Sequence, residues 1–408
     1  MFTLIVLAWR NLWRNKRRTW ITVFSVVFAV FLAITLESVD RGSQEQMVEN
    51  VVGFSTGYIR IQDTLFKEEP SIDNTMFYSD ELEKALLEEF PAIDYLVPRI
   101  ESHALAAGET KSRVVLLMGI DPGQETRFND VRHRLREGSY FEEGSGTALI
   151  GLGLAQNLEL GVGDTLVMLG QGFHGMTAAG KWPVGGIIHH PVPELNEMIV
   201  YLTIDDAQWF FMADDRLTSL MVTPRNHSRH KQLADALAAS SLLHDYSVYT
   251  WEELQPELVR TIAFDQAGTK IFLLILYVVI AFGIFGTVLT MTLEREREFG
   301  MLISLGLHRW KLGLVVFVET LIINGMGVLI GALLSLPVIF YFYFNPIGLG
   351  VELESLMAEY GMDAVLPFSL DPRIFTEQGT MVFFISMVIV AYPLSRIMTL
   401  NILDASRK

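Results

Sequence analysis

The amino-acid sequence predicts an α+β membrane protein, in which four transmembrane helices carry a large bipartite extracytoplasmic domain between helices one and two. Three observations support this fold class. Hydrophobic residues make up 50% of the 408 positions and collect in four uninterrupted runs. Lys and Arg flank these runs mainly on one side, and the long polar segment after the first run alternates between helical and strand patterns.

Each of the four runs is close to or longer than the ~20 apolar residues that a helix needs to cross a bilayer. The runs are Trp20–Leu36, Ile271–Leu293, Leu312–Phe344 and Thr380–Ser395. The third run is too long for one straight span, so we expect it to tilt, to extend past the bilayer or to break near Pro337. The fourth run is the shortest, and Pro393 near its end and Arg396 just beyond it suit a membrane interface.

The distribution of basic residues predicts the orientation, because short loops rich in Lys and Arg remain on the cytoplasmic side. The residues before the first run include five basic side chains and no acid: Arg10, Arg14, Lys16, Arg17 and Arg18. The loop between the second and third runs adds Arg295, Arg297, Arg309 and Lys311. Residues 345–379 hold one basic residue, Arg373, and six acids: Glu352, Glu354, Glu359, Asp363, Asp371 and Glu377. Both termini are therefore predicted to be cytoplasmic.

The predicted domains are an N-terminal segment with the first helix at 1–42, an outer domain at 43–269, and the remaining three helices at 270–408. Within the outer domain, glycines and short apolar runs at about 121–202 predict a β-rich insertion into an α/β part. We expect this insertion to lie farthest from the membrane. From Glu37 to Thr269 there are 17 basic and 36 acidic residues, and this net charge of −19 argues against a nucleic-acid partner.

The sequence carries no motif for chemistry of its own. It has no G-x-x-x-x-G-K-[ST] phosphate loop, so we predict no Walker-type ATP site, no catalytic residue and no cofactor in this chain. Its closely spaced glycines are interpreted as turn residues, because the third glycine of a nucleotide-binding loop is replaced by Gln156. Cysteine is absent, and His189 with His190 is interpreted as a solvated turn rather than a metal site.

Three residues inside the predicted spans are candidate functional positions. Glu319 would lie about 12 Å beyond Lys311 along the third span, where a buried carboxylate is costly. It is either a proton or substrate contact or, as we favour, a hydrogen-bonding residue within the helix bundle. Gly283 and Gly286 permit close helix approach, which indicates either plain helix packing or one wall of an apolar chamber open to the outer leaflet.

The segment from Glu294 to Lys311 is more patterned than a connecting loop requires. Its simplest interpretation is a charged cap at the membrane interface. The sequence also predicts a short amphipathic helix here, which ends at Gly306 and offers one apolar face to a partner. The predicted apolar face consists of Phe299, Leu302, Ile303 and Leu305.

The same segment carries a family resemblance. Its pattern Glu-Arg-x-Arg-Glu-Phe-Gly-Met-Leu-x-Ser-Leu-Gly-x-x-Arg at 294–309 resembles the FtsX-like permease family, as does the ending from Tyr392 and Pro393 to residues 404–407, Asp-Ala-Ser-Arg. Residues 119–122 and 160–164 resemble the MacB-like outer domain of such permeases. One span, a large outer domain and three further spans reproduce the order of that family over essentially the whole chain.

This resemblance implies the membrane subunit of a mechanotransmission-type ABC transporter, not an enzyme, in the inner membrane of a bacterium. A separate cytoplasmic ATPase dimer would bind ATP and Mg, and two permeases, identical or related, would pair within the membrane lipid. The first and second spans would extend outward as stalks, and the loop between spans two and three would be the coupling helix. The candidate ATPase contacts are Glu298, Met301, Leu302, Leu305, Gly306 and Arg309.

The size of the outer domain and the absence of a fused ATPase make the sequence most similar to permeases of lipoprotein-releasing (Lol) systems. That similarity implies a lipoprotein cargo and a periplasmic lipoprotein carrier. The comparable loop, Gly170–Trp182, supplies three candidate carrier contacts: Phe173, His174 and Met176. Two other functions stay open, namely an exporter of peptides or small amphiphiles and a signalling permease that regulates cell-wall hydrolases.

Overall fold

The computed structural model describes residues 2–14, 16–52, 56–129, 131–141, 146–190, 192–350 and 365–399. Four acids of the predicted outer loop and the C-terminal family pattern lie outside these ranges: Glu352, Glu354, Glu359, Asp363 and residues 404–407. The chain divides into two compact units. The helical unit comprises Met1–Gln46, Thr261–Ile347 and Val365–Lys408, and the sheet unit comprises Met47–Arg260 and Gly348–Ala364.

Helices and strands occur in both units. The helices are α1 (Phe2–Arg14), α2 (Lys16–Val51), α3 (Asp80–Glu89), α4 (Pro122–Asn129), α5 (Leu152–Leu158), α6 (Pro193–Asn196), α7 (Ile204–Phe211), α8 (His230–Ala238), α9 (Trp251–Leu254), α10 (Pro256–Glu294), α11 (Glu296–Ser304), α12 (Arg309–Phe344), α13 (Pro372–Ile389) and α14 (Ala391–Thr399). The strands are β1 (Ile59–Asp63), β2 (Met76–Phe77), β3 (Ile93–Ala107), β4 (Ser112–Ile120), β5 (Leu135–Gly138), β6 (Ala148–Gly151), β7 (Thr165–Gln171), β8 (Thr177–Ile188), β9 (Ile199–Thr203), β10 (Arg216–Leu217), β11 (Ser219–Pro224), β12 (Tyr246–Thr250), β13 (Ile347–Gly348) and β14 (Val365–Leu366).

The predicted fold class is confirmed. Within the described residues, four helical segments are long and apolar enough to cross a membrane: Thr19–Glu49, Pro256–Glu294, Arg309–Phe344 and Pro372–Thr399. Helix α12 continues through Pro337, so the alternative of a break near this residue is wrong. Helices α2 and α10 have 36 and 39 residues. At 1.5 Å per residue they measure about 54 and 58 Å, well beyond the ~30 Å hydrocarbon core of a bilayer.

Two glycines of α12 bring it into direct contact with the backbone of α2. A Cβ atom built on Gly327 would lie 2.6 Å from the Cβ atom of Val26. One built on Gly331 would lie 2.9 Å from the carbonyl oxygen of Val27. Real side chains do not approach this closely, so the packing requires glycine at both positions, as in other close helix pairs in membranes.

Polar side chains join α2, α10 and the segment that leads into α13. Thr269 of α10 donates a hydrogen bond of 2.6 Å to Asp40 of α2. Gln266 of α10 donates one of 2.9 Å to Gln44 of α2. Arg41 of α2 forms ion pairs with three acids: Glu37, Asp371 and Glu377. The two hydrogen bonds hold α2 and α10 together near the boundary of the helical unit, and Arg41 joins α2 to the start of α13.

The sheet unit is organised around one sheet of ten described strands, in the order β12-β1-β11-β3-β4-β9-β6-β8-β5, with β7 pairing with β3 and β8. Strands β5 to β9 come from the predicted insertion, and the parallel pair of β4 and β9 joins them to the remaining strands. The sheet unit has separate apolar cores. One contains Phe210 and Leu117, and another contains Ile61 and Leu96. Both predicted parts therefore share one sheet, and the bounds 121–202 of the insertion stay a prediction.

An ion pair fixes α9, the short helix that directly precedes α10. His230 Nε2 of α8 lies 3.0 Å from Glu252 Oε1 of α9, and Lys231 Nζ lies 3.2 Å from the same oxygen. Partial burial alone would raise the pKa of Glu252, but the hydrogen bond from His230 and the neighbouring charges lower it to about 2. The same hydrogen bond raises the pKa of His230. The pair therefore stabilises the fold above the ordinary carboxylate pKa, and this contribution is lost as the pH rises through the raised pKa of His230.

Candidate functional site

The patterned segment 294–311 folds as helix α11 and a tight turn. Leu305 is the C-cap residue that follows Ser304, and Gly306 comes next with a φ of 93°. The amide of Gly306 donates to the carbonyl of Ile303 at 3.0 Å, and that of Leu307 donates to Leu302 at 3.1 Å. This pair of bonds is a Schellman motif, which needs a residue that tolerates positive φ. The helix stop predicted at Gly306 is confirmed.

One side of α11 packs against the other helices. Phe299 is buried, and Ile303 packs against the same apolar cluster, which also contains Leu312, Val316 and Ile397 of α12 and α14. Residues four positions apart share one face of a helix, so Phe299 and Ile303 belong to the core of this chain. The prediction of a single free face that also holds Leu302 and Leu305 is therefore wrong, because the four apolar residues divide between two sides.

The exposed side of α11 is apolar as well. We call Met301, Leu302 and Leu305 the exposed side of α11, and these residues are 61%, 37% and 81% exposed. Trp310, one residue into α12, is 70% exposed. Trp310 is absent from the predicted contacts, because its sequence neighbours are the basic residues of the membrane flank.

Ion pairs and hydrogen bonds attach α11 and the turn after it to neighbouring helices. Arg14 of α1 donates a hydrogen bond of 2.7 Å to Glu298, and Arg396 of α14 lies 3.3 Å from Glu296. Arg309 donates to a backbone carbonyl at the end of α14. Glu298 and Arg309, two of the predicted ATPase contacts, thus have partners within the chain.

Glu319 lies in a buried polar cluster that involves three segments. Arg295, between α10 and α11, donates from both of its terminal nitrogens to the Glu319 carboxylate, at 2.5 and 3.3 Å. Asn11 of α1 donates to the same carboxylate at 2.8 Å. The side chains of Arg295 and Glu319 are only 8% and 2% exposed. The hydrogen bonding favoured for Glu319 is present. Its charged partner, Arg295, belongs to the segment that the sequence predicts to be a cytoplasmic loop.

Gly283 and Gly286 face open space instead of a packed helix. Among the described residues, a Cβ atom built on either glycine meets nothing within 4 Å. Both line a groove of about 850 Å³ between α10 and the start of α2. The hydroxyl groups of Thr287 and Thr290 in this groove donate to the carbonyls of Gly283 and Gly286, at 3.1 and 2.9 Å. The groove also reaches Glu294, the last residue of α10, and the predicted opening to the outer leaflet stays a prediction.

The three candidate carrier contacts form the tip of the hairpin between β7 and β8. The tip is closed by a hydrogen bond of 2.6 Å from the amide of Gly172 to the carbonyl of Met176. Phe173 is half-buried, and the guanidinium of Arg216 lies 4.5 Å from the centre of its ring. His174 and Met176 are exposed. Two of the three candidates are therefore accessible to a partner.

Comparison with known families identifies most of the chain. The FtsX-like permease C-terminal family matches residues 270–402, and the MacB-like periplasmic core domain matches residues 19–240. The chain belongs to the FtsX-like permease family. The first match contains α11, Glu319 and both groove glycines, so every candidate site residue of the helical unit lies within the FtsX-like permease C-terminal domain.

Curated relatives of this FtsX-like permease are ABC transporter membrane proteins. It is 24% identical over 251 residues to the lipoprotein-releasing system transmembrane protein LolC of Xylella fastidiosa, a match that covers 60% of each chain. It is 21% identical over 345 residues to an uncharacterized ABC transporter permease of Methanocaldococcus jannaschii, which covers 82% of each chain. The permease thus spans about 60% of the length of the LolC relative that it matches.

Solved structures resemble the MacB-like part of the permease. The periplasmic region of MacB from Actinobacillus actinomycetemcomitans matches with a TM-score of 0.36 and 14% identity, over 52% of this chain and 97% of that one. The extracellular domain of the ABC-type transporter YknZ from Gram-positive bacteria matches with a TM-score of 0.34 and 14% identity, over 47% and 99% of the two chains.

Proposed function

We propose that this permease is the membrane subunit of a mechanotransmission-type ABC transporter that releases lipoproteins from a bacterial inner membrane. A separate cytoplasmic ATPase dimer, which binds ATP and Mg, drives the release, and this chain acts as a transporter subunit rather than as an enzyme. The observation that carries the proposal is the exposed side of α11, which lies on a helix whose opposite side is anchored among the spans.

An anchored helix with an apolar exposed side suits docking into a groove of a partner protein. Burial of each large apolar side chain contributes roughly 1.5–3 kcal/mol, so three of them can supply the centre of a specific contact. Glu298 and Arg309 would add polar contacts at the rim of the same site, and Gly306 allows the turn that follows. The proposed ATPase contacts are therefore the six candidates: Glu298, Met301, Leu302, Leu305, Gly306 and Arg309.

Helices α2 and α10 supply the proposed stalks. Each helix runs without interruption in the chain from residues of the helical unit to residues of the sheet unit. A continuous helix transmits displacement along its axis, because its hydrogen bonds fix the rise per residue. In the most apolar 18-residue stretch of α10 only 22% is buried, compared with 44% in the corresponding stretch of α2. This free apolar surface fits a second permease, identical or related, within the membrane lipid.

The proposed cargo is a lipoprotein, as the description of the LolC relatives indicates for those proteins. The groove beside Gly283 and Gly286 contains the exposed apolar residues Ile21 and Phe282, which suit acyl chains. Its lining also includes three basic residues: Arg14, Lys16 and Arg17. His174 and Met176 at the hairpin tip would contact a periplasmic lipoprotein carrier.

One observation favours a second candidate function. The tip of the β7–β8 hairpin is closed by its own hydrogen bond and holds Phe173 against the sheet unit, whereas a hook for a carrier would project freely. An exporter of peptides or small amphiphiles needs no such carrier.

We expect cysteine labelling to place α11 in the cytoplasm and the sheet unit outside, because basic residues flank the α11 side of the spans. The chain contains no cysteine of its own, so single substitutions are free of background. Ser112→Cys, at an exposed position on β4, should react with a membrane-impermeant maleimide in spheroplasts. His308→Cys, in the turn after α11, should react only after permeabilisation. Labelling of position 308 in intact spheroplasts would contradict the orientation.

Depletion of the permease is expected to leave acylated lipoproteins in the inner membrane, as measured by membrane fractionation. Gly283→Leu and Gly286→Leu should also reduce lipoprotein release, because each places a bulky side chain in the groove without disturbing described neighbours. Gly268→Leu is the matched control, since this glycine of α10 is equally open but does not line the groove. Unchanged lipoprotein sorting on depletion would refute the cargo and favour export or signalling.

A further inference from the structure

We propose that Arg295, Glu319 and Asn11 form a joint that transmits movement of α11 to the spans, and that this joint serves coupling rather than docking. The inference rests on the proposed function, because it presumes that an ATPase moves α11. None of the three residues contacts the ATPase. They act by positioning α11.

The joint links three separate parts of the helical unit. Asn11 lies on α1, Arg295 lies at the connection between α10 and α11, and Glu319 lies about 15 Å along α12 from its first residue. Two parallel hydrogen bonds connect the guanidinium of Arg295 with the Glu319 carboxylate. Such bidentate pairing restricts both distance and rotation, so the start of α11 cannot turn without α12.

Burial makes this joint much stiffer than the other polar contacts of α11. Separation of Arg295 from Glu319 would leave an unpaired charge away from water, which is far more unfavourable than breaking an exposed pair. A cavity of about 20 Å³ beside the pair has room for about one water molecule, which is too little to solvate a separated charge. The Arg14–Glu298 pair, with side chains 57% and 41% exposed, contributes little by comparison.

The joint and the exposed side of α11 occupy different positions. Met301, Leu302 and Leu305 are accessible to a partner, whereas Arg295 and Glu319 are buried. An ATPase that binds the exposed side would therefore push a helix whose first turn moves together with α12 and α1. Loss of the joint should leave docking intact and remove the transmission of movement.

The test uses the full permease reconstituted with its ATPase in nanodiscs. Glu319→Gln removes the charge with little change in volume, and Glu257→Gln, in an exposed ion pair within α10, is the matched control. Movement is read from the disulfide yield between Gln44→Cys and Gln266→Cys, whose native side chains are 2.9 Å apart. We expect Glu319→Gln to reduce the ATP-dependent change in disulfide yield about tenfold, with copurified ATPase within about twofold of wild type. Glu257→Gln should resemble wild type in both measurements.

The charge-swapped variant Arg295→Glu with Glu319→Arg separates positioning from general stability. It should restore at least about half of the ATP-dependent change, because it rebuilds the pair in reverse. If Glu319→Gln does not fold, Asn11→Ala keeps the ion pair and should lower the change about threefold. A normal ATP-dependent change in Glu319→Gln or in Asn11→Ala, or equal loss of ATPase binding, would overturn the joint. Failure of the wild type to bind any ATPase would instead overturn the proposed function, and the joint with it.

Discussion

Leu302→Asp combined with Arg309→Glu is expected to abolish stimulation of the ATPase by this permease. The first change places a carboxylate on the exposed side of α11, and the second reverses the charge at the rim of the same site. Transfer of an unpaired charge into an apolar contact costs several kcal/mol, so affinity should fall by at least about 100-fold. Copurification of the ATPase and its rate of ATP hydrolysis in proteoliposomes measure the effect.

The control for this double variant is Leu105→Asp with Arg113→Glu, which makes the same chemical changes at exposed positions on β3 and β4. Because these positions belong to the sheet unit, ATPase binding should be unchanged. Monodisperse elution and an unchanged Tm should accompany both double variants. If the α11 variant still binds and stimulates its ATPase normally, α11 is only a cap at the interface.

Gly327→Leu is expected to prevent stable packing of the first and third spans. Its Cβ atom alone would lie 2.6 Å from the Cβ atom of Val26, which cannot move without the backbone of α2. Overpacking of a tight core typically destabilises by about 1–3 kcal/mol, and a leucine against helix backbone should reach or exceed the upper value. The Tm of the detergent-solubilised permease should fall strongly, and the yield of monodisperse protein should fall with it.

Gly325→Leu provides the comparison, because it makes the same substitution two residues earlier on α12. A Cβ atom at Gly325 meets no described atom within 4 Å, and the residue is exposed. We expect a Tm close to that of wild type. Equal losses of Tm in the two variants would mean that contact with α2 does not determine the need for glycine at 327.

The four spans and the end of α11 were predictable because their signals are local. Length and apolarity decide whether a helix can cross a bilayer, and both are read directly from the sequence. A glycine before basic residues similarly marks the helix end at Gly306, where the structure has positive φ. The division of α11 into two sides was not predictable, because it depends on which of its faces meets α12.

Contacts between distant segments were largely beyond prediction. Arg295 stands among charged residues in the sequence, so its burial against Glu319 becomes visible only once α12 is placed. The Gly327-x-x-x-Gly331 spacing was a usable signal for close helix contact, although it does not name Val26 as the neighbour. Strand β3 is hard to predict because it contains Pro98, and proline breaks most central strands. Pairing of β3 with β4 begins only at Arg99, so β3 has a partner on one side alone at the proline.

The pairing of β1 with β12 bears on how transporters of this kind can diversify. The two strands lie side by side, with Ile59 opposite Thr250, soon after α2 ends and just before α9 and α10 begin. The polypeptide thus departs from one long helix and returns to the other through two neighbouring strands of the large sheet, which are about 4.8 Å apart. The chain between β1 and β12 therefore begins and ends at two adjacent strands. A foreign domain with its own ends on adjacent antiparallel strands could be grafted at these two strands, so the sheet unit could be exchanged while the spans and α11 stay unchanged.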